Sequence, residues 1–150
     1  MDVDVRTQIE IDRDRSTVSG YASELENTTS WYANIDDVEW KTQKPLAVGS
    51  KVAFAARFLG RRLVYTYEVR EWIPGERLVM STSEGPFAME TTYEWRDTTS
   101  GGTTMTLRNR GTPSGFSKVA APMMALAMRR ANEKDLLRIK SILEAGDPPR

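Results

Sequence analysis

A chain of 150 residues is the size of one domain, and 39% apolar with 28% charged residues is the make-up of a folded globular protein, not a disordered one. Lysine plus arginine equals aspartate plus glutamate at 21 each, so the basic excess that phosphate contacts demand is missing and no nucleic acid partner is expected. Cysteine and histidine are both absent, which excludes disulfides, the usual zinc ligand sets, and any triad or dyad that needs a histidine base or a thiol nucleophile.

The first ten residues are charged and alternating, unlike a secretory signal, and no run approaches the roughly 18 apolar residues of a membrane span. A cytoplasmic protein with no stable membrane insertion is expected. Val3, Val5, Ile9 and Ile11 alternate with Asp2, Asp4, Arg6, Gln8 and Glu10, the period of a strand with one wet face. From Asp14 to Asn27 the apolar residues Val18, Tyr21, Ala22 and Leu25 fall at helical spacing, and Gly20 interrupts them, which predicts two short helices.

Ile35 to Asn109 reads as consecutive antiparallel strands. Val38 and Trp40 mark one, Val52, Phe54, Ala56 and Phe58 the next, and Leu63, Tyr65, Tyr67 and Val69 a third after a turn at Gly60-Arg61. Pro74-Gly75 ends that strand; a shorter one follows from Leu78 to Thr82, closed by Glu84, Gly85 and Pro86. Phe87, Met89, Thr91, Tyr93 and Trp95 alternate in the next, and Gly101-Gly102 leads into Thr103 to Asn109, with Met105 and Leu107 inward. Phe116 to Glu144 has the pattern of one long helix spanning roughly 43 Å. Gly146, Pro148 and Pro149 end it, leaving 146–150 as an expected disordered tail. No linker or repeat divides the chain, so 1–150 is read as a single domain.

Most large aromatics share one sheet face, and only the C-terminal helix is long enough to cover it. At 100° per residue Ala121, Ala125, Met128, Asn132, Leu136, Ile139 and Leu143 form one stripe, large at its C-terminal end and small at its N-terminal end. Small helix residues facing a wide curved sheet predict a pocket there, between helix, sheet and the two short helices. Periodicity alone leaves the other outcome open, in which the rings interdigitate and fill the space.

The ordered set of local motifs resembles a known family. Leu25, Glu26, Asn27, Trp31, Val38, Glu39 and Trp40 belong to it, as do Val48-Gly49, Gly60-Arg61-Arg62, Tyr67-Glu68-Val69 and Ile73-Pro74-Gly75-Glu76-Arg77-Leu78. Gly85-Pro86-Phe87, Gly101-Gly102-Thr103, Pro122 and the ending from Asp135 to Glu144 complete it. Together they resemble the polyketide cyclase/dehydrase-like branch of the START/SRPBCC superfamily. That resemblance implies an α+β helix-grip fold, β-α-α-β6-α, with a curved antiparallel sheet of about seven strands around the long helix and an apolar cavity between them. Members of the superfamily bind lipids, sterols, polyketides, quinones or plant hormones; a minority catalyse cyclisation or dehydration, and related helix-grip domains act as co-chaperones. No catalytic residue carries over, because no catalytic motif is common to the superfamily.

The expected cavity lining is Trp31, Phe54, Phe58, Tyr65, Tyr67, Phe87, Met89, Tyr93, Met105, Leu107, Met124 and Met128, with Thr91, Asn109 and the three tyrosine hydroxyls to orient a ligand. Each of these residues serves equally well as plain core. By parity Glu71 is the one carboxylate of the middle strands on the inward face, a candidate acid or base. Val119, Met123, Leu126 and Leu137 make the helix apolar on its other side too, which suits a cavity lid, a dimer contact or a brief membrane touch. The expectation is binding or transport of a small hydrophobic molecule by a monomer or weak homodimer, with no metal or other cofactor. The alternatives are a cyclase/dehydratase-type enzyme and a protein-interaction module.

Overall fold

The computed structural model describes residues 3–58, 60–85, 88–112 and 121–146. Phe87, the expected start of the last helix from Phe116 and the expected tail after Gly146 lie outside the described residues, as does the side chain of Phe58.

Alternation builds the sheet. In β1 (Val3–Ile11) the odd residues Val3, Val5, Thr7 and Ile11 are buried while Asp4, Arg6, Gln8 and Glu10 are not. A helix α1 (Arg15–Ser23), a single 3-10 turn (Leu25–Asn27) and a one-turn helix α2 (Thr28–Trp31) follow. Asp14 starts α1 as its N-cap, accepting from the Thr17 N–H at 3.3 Å. Gly20 sits inside α1, so the expected break falls not there but at Glu24, whose extended backbone ends the helix. The chain then runs through β2 (Ile35–Trp40), β3 (Lys51–Phe58), β4 (Arg61–Ile73), β5 (Arg77–Glu84), β6 (Ala88–Asp97) and β7 (Thr103–Thr112) before α3 (Ala121–Glu144).

The sheet order is β1-β7-β6-β5-β4-β3-β2, antiparallel throughout. A meander thus carries β2 to β7, and β1 closes onto the far edge, with Val3 opposite Gly111 and Ile11 opposite Thr103. The curved seven-stranded sheet wraps α3, which packs along β1 and meets α2. Gly111 is required where β7 leaves β6: a Cβ there would run into the Ala88 carbonyl and the Met89 sulfur.

Three register shifts re-aim side chains. Between Val69 and Glu71 of β4 an extra residue, Arg70, is inserted against β5, so Val69 pairs with Met80 and Glu71 with Val79. Parity inverts beyond that bulge. Trp72 therefore pairs with buried Leu78 and joins the core, while Glu71 turns to the outer face and pairs with Arg77 at 3.4 Å. The expectation that Glu71 points inward is corrected accordingly.

The core divides along α3. Leu136, Ile139 and Leu143 share one buried cluster with Ile11, Val18, Leu25, Trp31, Trp95, Met105 and Leu107. Further towards the helix start, Met124 and Met128 form a smaller cluster with Val3, Val5, Leu63, Tyr65 and Met89. The C-terminal end of α3 is tied down by Arg13, which donates to the Leu143 carbonyl at 2.6 Å, and by the Asp12 N–H, which donates to Glu144 Oε2 at 2.8 Å. Met123, Leu126 and Leu137 face outwards; Val119 lies outside the described residues.

Candidate ligand cavity

Where the two clusters part, the fold holds a cavity of about 130 Å³. The inward side chains of β3 and β4 form its floor: Phe54, Ala56, Leu63, Tyr65 and Tyr67. Met80, Met89, Thr91, Tyr93 and Asn109 continue it across β5 to β7. Met124, Met128, Ala131, Asn132 and Asp135 of α3 roof it, and Tyr32, Asn34 and Ile35, just after α2, close one end. The rings are set edge to face: Phe54 and Tyr67 lie 5.6 Å apart at 88°, Tyr65 and Tyr67 6.1 Å apart at 70°. Rings packed this way brace one another along the sheet, and Tyr65 meets Met124 and Met128 of the helix.

Sequence-predicted residues sort cleanly by depth. Phe54, Tyr65, Tyr67, Met89, Thr91, Tyr93, Asn109, Met124 and Met128 border the cavity. Trp31, Met105 and Leu107 do not. They share the inward side but are sealed into the core under Leu136, Ile139 and Leu143, where each is fully buried. Parity gives the side of a residue and not which part of the helix lies above it. Phe58 and Phe87 cannot be placed, since the side chain of one and all of the other lie outside the described residues.

Tyr65, Tyr67, Tyr93, Thr91 and Asn109 bring the expected polar groups to the lining, and Tyr32, Asn34, Asn132 and Asp135 join them beyond the expected set. Asp135 is the chief omission. It is 3% exposed, and its Oδ1 accepts from the Ala33 N–H at 3.0 Å. Burial pushes its carboxyl up to about 6, with the Ala33 N–H and the Arg138 and Lys134 charges pulling the other way. Steps of four, three and four residues from Met128 through Asn132 and Asp135 to Ile139 would have found it. The stripe chosen from the sequence stepped from Asn132 to Leu136 instead.

Tyr32 and Tyr93 share a short hydroxyl–hydroxyl bond of 2.6 Å, with the Trp31 ring centred 4.2 Å from Tyr32 and 5.7 Å from Tyr93. Burial, the partner hydroxyl and Asp135 hold the Tyr32 phenol well above its ordinary range. Burial likewise raises Tyr93, Tyr65 and Tyr67, so all four are neutral hydrogen-bonding groups at physiological pH. A second polar line runs from Thr91 through Asn109 to Asn132, with Thr91 Oγ1 2.6 Å from Asn109 Oδ1 and Asn109 Nδ2 3.3 Å from Asn132 Oδ1. Among the described residues no group of three or more acidic side chains is placed to hold a metal ion, and no helix is long and apolar enough to cross a membrane.

The profile of the family described as polyketide cyclase / dehydrase and lipid transport matches residues 2–144. No curated protein matches the chain in sequence. Solved structures share its fold. A START superfamily protein from Mycobacterium smegmatis superposes with a TM-score of 0.80 at 14% identity, covering 95% of this chain and 97% of the other. The Zhui aromatase/cyclase from Streptomyces sp. R1128 gives 0.76 at 12% identity over 94% and 93% of the two chains. Ginseng major latex-like protein 151 from Panax ginseng gives 0.72 at 15% identity over 99% of each. At these identities the likeness is one of fold.

Proposed function

Since the chain belongs to the polyketide cyclase/dehydrase and lipid transport family, we propose that it binds or carries one small hydrophobic molecule between its sheet and α3. The observation behind this reading is the cavity itself, about 130 Å³ walled mainly by rings, methionines and alanines beside a buried apolar cluster. An apolar cavity of about 150 Å³ is known to take up benzene, so the space suits a guest of single-ring size as it stands. Met80, Met89, Met124 and Met128 on the wall repack easily, which extends the range of shapes it accepts. Affinity would come from burial, about 25 cal/mol for each Å² of guest surface removed from water, which is non-directional and tolerant of guest identity.

We infer a reduced, cytoplasmic setting and a working unit of one domain without metal or nucleotide cofactor. The test is native mass spectrometry of gently purified protein, followed by solvent extraction. A retained apolar metabolite is expected, and Ala131→Phe, which projects a ring into the space, should abolish its retention. Retention undiminished by Ala131→Phe would place the guest elsewhere and overturn the reading.

One observation favours a second reading, a cyclase- or dehydratase-type enzyme. Asp135 titrates near 6 on the cavity wall beside the Tyr32–Tyr93 pair, and such a carboxyl exchanges protons readily at neutral pH. Under this reading Asp135→Asn abolishes turnover of an extracted ligand while leaving its binding intact.

A further inference from the structure

The polar line across the cavity has a direction. Thr91 Oγ1 and Asn109 Oδ1 are 2.6 Å apart, the spacing of an O–H···O bond and shorter than N–H···O bonds normally are. Thr91 is therefore the donor and the Asn109 carbonyl oxygen the acceptor. That turns the Asn109 amino group towards α3, where it donates to Asn132 Oδ1. Both bonds run the same way, and the line ends on a donor, Asn132 Nδ2.

That nitrogen is buried and has no hydrogen-bond partner among the described residues. Asn132 is 4% exposed and borders the cavity. A buried amide N–H without an acceptor carries its full desolvation penalty, and a guest that supplies the acceptor removes it. The Tyr32–Tyr93 pair adds a second donor to the cavity lining. Two hydroxyls joined by one bond use one proton between them, and no partner for the other occurs among the described residues. A carbonyl oxygen, an acceptor with no proton of its own, is the group that an uncommitted donor in an apolar lining calls for.

We propose that the guest is a ketone or aldehyde on an otherwise apolar, ring-sized frame, its carbonyl oxygen accepting from Asn132 Nδ2. This rests on the cavity reading above and specifies the polar end of the ligand.

Acetophenone and α-methylstyrene have nearly the same shape and differ in C=O against C=CH2, so they isolate the donor. Both are titrated into the full chain by 1H–15N NMR, with acetophenone labelled by 13C at its carbonyl. The bound carbonyl resonance is expected downfield of its position in cyclohexane, as hydrogen bonding requires. Asn132→Leu, which keeps the volume and removes the donor, should weaken acetophenone roughly five- to tenfold and α-methylstyrene not at all. A bound carbonyl resonating as it does in cyclohexane overturns the proposal on the parent protein alone, whatever the fate of the variant. So does an equal loss of both probes in Asn132→Leu. If α-methylstyrene binds and the carbonyl is not hydrogen-bonded, only this inference falls; if neither probe binds the parent, the cavity reading falls with it.

Discussion

Asp135 is a carboxyl kept from water by α3 on one side and the segment after α2 on the other, with the Ala33 N–H as its anchor. Folding raises it from the usual 3.8 to about 6, so the folded chain holds this proton more tightly than the unfolded chain does. Stability from this residue is therefore greatest below about pH 4, declines between 4 and 6, and stays low above that. Asp14 acts oppositely. Its carboxyl, bonded by the Ser16 and Thr17 hydroxyls, is lowered to about 2 and stabilises above pH 4, with loss as the pH falls towards 2. Comparing Asp135→Asn with the parent cancels such background. The variant keeps an acceptor for Ala33 and should be more stable at pH 7, on the order of 2 kcal/mol, with no gain at pH 4. Urea unfolding at the two pH values measures the difference, and an equal effect at both would contradict the assigned shift.

Helix α3 does two jobs along its length, and truncations should register the boundary. Leu136→Ala opens a hole in a filled core and should cost about 2–5 kcal/mol. Met128 already faces open space on one side, so Met128→Ala should cost roughly half as much. Chemical denaturation of both variants checks the ratio, and equal losses would mean that the interior is filled alike throughout. This division was half legible beforehand. The shift from alanine and methionine to leucine and isoleucine along the helix pointed to the open end, because side-chain volume is a property of residue type. Strand parity likewise carried Phe54, Tyr65, Tyr67, Met89, Thr91, Tyr93 and Asn109 to the inward face, since β3 with the first part of β4, and β6 with β7, pair in unbroken register. It failed at Glu71 because a bulge inserts a residue without any marker in the chain, and at Trp31, Met105 and Leu107 because alternation is blind to depth. Asp135 was missed for a different reason. The helix stripe steps from Asn132 to Leu136 and passes it by, and the Ala33 N–H across the gap that makes its burial tolerable has no marker in the sequence.

At the scale of the molecule the seven-stranded order was accessible because short turns force neighbours to pair, which leaves β1 as the single long-range choice. That choice matters. Thr7 donates its hydroxyl to the Leu107 carbonyl at 3.3 Å, and Arg108 holds Asp4 through two bonds of 2.9 and 2.6 Å. Deleting residues 1–11 removes both this pairing and the strand on which α3 rests, so the remainder should lose cooperative thermal unfolding by circular dichroism. A sharp transition in that fragment would show β1 to be an accessory. The same arrangement sets an order of events during synthesis. Strand β1 is made well before β7, the strand it pairs with, over a sequence separation of about a hundred residues, and meanwhile the nascent sheet exposes its aromatic face and an unpaired edge. High contact order of this kind means slow folding, in milliseconds to seconds, and a standing chance that one chain's leading strand completes another chain's sheet.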